Sequence, residues 1–148
     1  VILHLGVLEI PYNEPPAKGK RKKVEAGTQT TGDVAEWLEN KYKIMATFYE
    51  RNQEEIAQLI IDGLAGTIES LSMGAPPTID PFGEATSAIK DKFSRFLESK
   101  AMDGLEGIPT LASIEGVSHR FKNRRGTPYR PSFIDTGNYE NAFQAWID

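Results

Sequence analysis

The sequence predicts an α+β fold that is predominantly helical, with one long N-terminal helix or helix pair, a second amphipathic helix, and a small sheet formed by terminal strands. Two observations carry the helical part. Apolar residues recur at three- and four-residue steps from Val34 to Leu71, and again over about 84–101. A third observation carries the sheet: both ends, VILHLGVLEIPY and NAFQAWID, are short apolar runs. At 148 residues the chain is expected to form a single domain spanning 1–148, large enough for one core.

Residues 1–12 are rich in Val, Ile and Leu and stop at Pro11, which reads as an extended strand. The segment 13–27, NEPPAKGKRKKVEAG, combines Pro, Gly and a charge run without periodicity, so a mobile basic loop is expected there. Thr30 or Thr31 then offers a capping hydroxyl, and Asp33 and Glu36 place negative charge where the helix dipole favours it. The apolar steps run through Val34, Leu38, Tyr42, Met45 and Phe48 or Tyr49, and resume at Ile56, Leu59, Ile60, Leu64, Ile68 and Leu71. Neither Pro nor Gly interrupts Asp33–Asp62. A single helix of this length would span roughly 60 Å, more than a compact domain of this size. Either a break near Arg51–Gln53 or a projecting helix is therefore expected. Gly74 and Pro76-Pro77 end it.

Ile89, Phe93, Phe96 and Leu97 share one face of the next helix. Leu111, Ile114 and Val117 suggest a short helix or turn, and TPYRPSF an extended loop. In the closing stretch, Tyr139, Phe143 and Trp146 fit helical steps better than alternation, and both a helical turn and a strand stay open. Trp37 and Tyr42 read as packing residues. Gly63 and Gly66 either permit close helix approach or are merely tolerated.

No apolar run approaches the length of a membrane span, and the start lacks the basic leading region of a signal peptide. There are no cysteines and only two histidines, His4 and His119, so thiolate and His-rich metal sites are excluded. No cofactor is expected. The tripeptide Asp135-Thr136-Gly137 after Phe133-Ile134 is the local signature of an aspartic-protease half-site. That chemistry needs two such aspartates in a β-rich domain, with strands after each to build a cleft. Eleven residues follow Gly137 here and the preceding chain is mainly helical, so a turn is expected and not an enzyme. Gly137 would take a positive φ, and Asp135 or Thr136 would hold backbone or cap a short helix.

Charge is unevenly placed. The net is −4, yet ten of seventeen basic residues fall in two segments. One holds Lys18, Lys20, Arg21, Lys22 and Lys23; the other holds Arg120, Lys122, Arg124, Arg125 and Arg130. The bland reading is two solvated loops. The functional one is contact with phosphate or with an acidic neighbour, and a small nucleic-acid-associated or regulatory module is the alternative function this supports.

TTGDVAEWLENKY with the Phe-Tyr helix after it, the helix end SMGAPP, and RPSFIDTGNYENAFQAWID together resemble the tail-completion proteins of tailed bacteriophages, small neck components at the head–tail junction. Those proteins carry Pro, a small residue, an apolar residue and Asp-Thr-Gly before an apolar-aromatic run. Here the pattern falls on Pro131-Ser132-Phe133-Ile134-Asp135-Thr136-Gly137. The resemblance covers about half the chain. It implies a segment joining a long helix to a small antiparallel sheet. In the family several strands follow the turn, so the N-terminal strand and other subunits are expected to complete the sheet here. It further implies a non-enzymatic virion protein, a homo-oligomeric ring on the order of six or twelve copies. Its partners would be other neck, portal-adaptor or tail proteins, with contact to packaged DNA and no membrane. The two basic segments, with Phe143 and Trp146, are the expected interface.

Overall fold

A computed structural model describes residues 1–11, 30–77, 80–116, 129–134 and 137–148. Among them are strand β1 (Leu3–Val7), helices α1 (Thr31–Tyr42), α2 (Ile44–Ser72), α3 (Gly83–Glu98), α4 (Leu111–Glu115) and α5 (Asn138–Ala142), and strand β2 (Phe143–Ile147). The fold is a predominantly helical α+β arrangement with one small sheet, as the sequence predicts. The loop expected over 13–27 lies outside the described residues.

The two strands pair antiparallel, Leu3 opposite Ile147 and Val7 opposite Phe143. Backbone bonds extend the ladder at both ends: Ile2 N–H to Asp148 O (2.9 Å) and Leu8 N–H to Ala142 O (2.7 Å). Alternation sorts the side chains. Leu3, Leu5, Val7, Phe143 and Ala145 meet the core, while His4, Gly6 and Trp146 lie on the other face. Gly6 leaves room for the Trp146 ring there, since a Cβ would sit 3.1 Å from it.

Thr30 caps α1 with a reciprocal box: its hydroxyl accepts from Asp33 N–H, and the Asp33 carboxylate accepts from Thr30 N–H (2.9 Å). Thr31, buried beside it, ties the chain after β1 to α1. Its hydroxyl accepts from Ile10 N–H (2.8 Å) and donates to the Leu8 carbonyl, and its N–H bonds Ile10 O (2.9 Å).

The break in the long helix falls at Lys43, not near Arg51–Gln53, through which α2 runs unbroken. Lys43 adopts the left-handed conformation (φ 51°, ψ 50°). Its neighbours supply the reason: Ile44 and Phe48 are fully buried, and the Glu39 carboxylate accepts from Met45 N–H (2.8 Å) and Ala46 N–H (3.1 Å), satisfying the start of α2. The alternative of a projecting helix fits better, since α2 at 29 residues is about 44 Å long and buries nothing after Ile56.

The core is an aromatic cluster. Phe93 stacks on Phe143 with centroids 3.9 Å apart, and Phe48 meets Phe93 (5.2 Å), Phe96 (5.4 Å) and Phe143 (6.2 Å). These contacts bind α2, α3 and β2 together. Gly63 lets α3 approach α2 closely, a Cβ there lying 3.3 Å from the Ala85 Cβ, whereas Gly66 faces open space and is simply tolerated. Residues 111–115 do form a short helix, but it buries Ser113 and leaves Leu111 in solvent. Ser113 and Thr110 both hydrogen-bond the Ser132 hydroxyl (3.1 Å each), which sets this polar inward face. The closing stretch uses both of its options in sequence, one helical turn and then a strand.

Candidate functional site

The Pro131–Gly137 segment lies between α4 and α5. Gly137 has φ +77°, the positive value expected of the turn, and occupies the position that opens α5. Its carbonyl accepts from Asn141 N–H at 2.8 Å. Since Gly137 itself holds the capping position, no side-chain oxygen caps α5 from there. Asp135 and Thr136 lie outside the described residues. Before the turn, Phe133 packs on Tyr42 (centroids 5.2 Å), and Arg130 donates to the Ile134 carbonyl (3.0 Å), bracing the segment across its own bend.

Immediately after the turn Tyr139 enters the core against Phe93 (6.1 Å). Its hydroxyl is buried without a hydrogen-bond partner. Burial, and secondarily the Glu39 carboxylate, push the phenol well above its ordinary ionisation range.

Of the expected interface cations, Lys18, Lys20, Arg21, Lys22, Lys23, Arg120, Lys122, Arg124 and Arg125 lie outside the described residues. Arg130 is described, and its guanidinium serves its own backbone. Phe143 is corrected: with no exposed surface, it is a centre of the monomer core and cannot meet a neighbour in this fold. Trp146 is 47% exposed, stacked on His4 with centroids 5.2 Å apart, while His4 Nε2 lies 2.9 Å from Asp148 Oδ2. Strand alternation separates the two aromatics that a helical reading would have placed on one face.

Trp37 is also corrected. It is 56% exposed on α1, and the Lys41 ammonium sits over its ring (4.8 Å) and that of Tyr42 (5.1 Å). Sequence reading also missed an exposed apolar row on the outer half of α2, at Ile61, Ile68 and Leu71, continued by Met73. Helical periodicity contained the signal, because the apolar steps persist beyond the length that one core can cover.

Among the described residues no group of three His, Asp or Glu side chains is arranged to hold a metal ion, and no helix is long and apolar enough to cross a membrane. No protein-family model matches the chain, and no curated protein or solved structure matches it.

Proposed function

We propose that this chain is a structural subunit of a tailed-bacteriophage particle, a ring component at the head–tail junction that joins tail to head. The observation that carries the reading is the Pro131–Gly137 segment: its positive-φ glycine opens the one-turn helix α5, which leads into a strand of a small antiparallel sheet, with a long helix earlier in the chain. This is the role the resembling family gives to that segment. Exposed Trp37 and Trp146, and the outer half of α2, provide aromatic and apolar surface for neighbours. The separation of basic segments from an acidic body suits head-to-tail contacts that close by rotation. In this reading the protein has no enzymatic role and works beside portal-adaptor, neck or tail proteins, close to packaged DNA.

The test is native mass spectrometry of the purified chain, alone and with neck components, together with quantitative proteomics of purified particles. Ring-sized oligomers and a fixed stoichiometric presence in particles are expected. A monomer at all concentrations that is also missing from particles would remove the proposal.

A further inference from the structure

Beyond Ile60, α2 leaves the core. No residue from Ile61 to Ser72 is buried, yet Ile61, Leu64, Ile68 and Leu71 keep three- and four-residue steps, which line them up along one side of the helix. Ile61 and Ile68 are more than half exposed, at 58% and 59%. The neighbouring side is already occupied: Gly63 abuts Ala85, and the Thr67 hydroxyl donates to the Pro81 carbonyl (3.2 Å). Between the ridge and α3 runs a cleft of about 410 Å³ whose lining includes Leu71, Asp80 and Glu84.

Along the sequence that forms this ridge and its cleft, the charge has one sign. Residues 52–89 contain six acidic residues and no basic one. At 100° per residue, Glu54, Asp62 and Glu69 fall on the helix side away from α3, bordering the ridge. Asp80 and Glu84 line the cleft together with Leu71, at the far end of the ridge. The result is an apolar row with acidic residues along one side and at its Leu71 end.

We propose that this ridge is the docking site for a basic amphipathic helix of another protein, its apolar seam seated on Ile61, Leu64, Ile68 and Leu71 and its Lys or Arg residues facing Asp62 and Glu69 along one side and Asp80 and Glu84 at the Leu71 end. Charge selects this occupant. A second copy of the same ridge would set acidic margin against acidic margin, which costs affinity. Size sets the strength: twelve helical residues, 61–72, offer about 18 Å of seam. That is short of the roughly 800 Å² per partner of a standard interface, so the contact belongs to the small, reversible class. The inference does not depend on the virion reading and fails separately from it.

The probe is a labelled synthetic helical peptide with leucines at three- and four-residue steps and arginines beside them, titrated with the full chain and followed by fluorescence anisotropy. Saturable binding is expected, falling several-fold between low and moderate salt. The double variant Ile61→Ser, Ile68→Ser should weaken it by about tenfold or more, with far-UV circular dichroism unchanged because both side chains are exposed. Asp62→Asn with Glu69→Gln, which leaves the apolar row intact, should weaken it by about threefold. A peptide with the same seam and glutamate margins should bind about tenfold less well. Absence of binding, equal affinity for the two peptides, or indifference to both double variants overturns the proposal. Concentration-dependent self-association abolished by Ile61→Ser, Ile68→Ser also overturns it, since a second copy would then be the occupant.

Discussion

The Glu39 carboxylate reaches past Lys43 to accept the Met45 N–H at 2.8 Å, so a side chain of α1 caps the helix that follows it. One oxygen takes Met45 and the other Ala46 (3.1 Å). The joint between the two helices thus combines an unfavourable backbone at Lys43 with a favourable cap from Glu39, and each is separately testable.

Replacing Glu39 with Ala leaves two N–H groups at the start of α2 unsatisfied and removes a negative charge from its positive end. A loss of about 1–2 kcal/mol is expected, read from the urea midpoint at constant m value. Lys43→Gly should do the opposite. Relief of the left-handed conformation exceeds the extra chain entropy of glycine, for a gain of about 0.5–1 kcal/mol.

Thr31→Val keeps the shape of a buried side chain but strips both of its hydroxyl bonds, leaving the Ile10 N–H and Leu8 carbonyl short of partners. The expected cost is about 1–3 kcal/mol. Hydrogen exchange should accelerate at Ile10 more than in α3, because Thr31 fastens that end of the chain.

Tyr139→Phe should be neutral or stabilising by up to about 1 kcal/mol, since the buried hydroxyl has no hydrogen-bond partner. The same substitution has a pH signature. The folded-state value for the phenol is raised above the unfolded value of 10.0, so the native chain holds this proton more tightly. Stability linked to it is therefore intact below about pH 10 and is lost as pH rises further, by up to about 1.4 kcal/mol per pH unit. Denaturation midpoints of the wild type should fall more steeply than those of Tyr139→Phe above that pH. Parallel slopes would contradict the assignment.

Phe143→Ala removes a fully buried ring that stacks on Phe93. A loss of about 3–5 kcal/mol is expected, whereas Trp146→Ala, three residues on but half exposed, should cost less. Thermal unfolding of the two variants side by side separates a core residue from a surface one.

Much of the framework was legible in the residues themselves. Thr30 and Asp33 mark the first helix start, Gly74 with Pro76-Pro77 marks the end of the second, and the two apolar end segments contain the strands. The break at Lys43 was not legible, because lysine has no turn preference. Burial of Ile44, and of Phe48 against α3 and β2, sets its place, and the Phe48 contacts are remote in sequence. Phe143 was misplaced because an apolar end segment does not show whether its own core or a neighbour covers it; the switch to a period of two at Phe143 turns its ring inward. The turn was foreseen at Gly137 through its need for positive φ. The ridge on α2 was not, since periodicity reveals an apolar face without revealing whether the rest of the fold covers it.

Pairing of Leu3 with Ile147 has a consequence for the order of folding. The aromatic contacts between α2 and α3 join neighbouring stretches, but the sheet joins segments with almost the whole sequence between them. Contacts of such separation carry the largest loop-closure entropy and form late. On the ribosome, β1 emerges before α1–α5 and before its partner β2, so its apolar face must wait through the synthesis of those helices. The helices are then the scaffold on which the sheet closes, and β1 is the segment most exposed to wrong pairing in the interval.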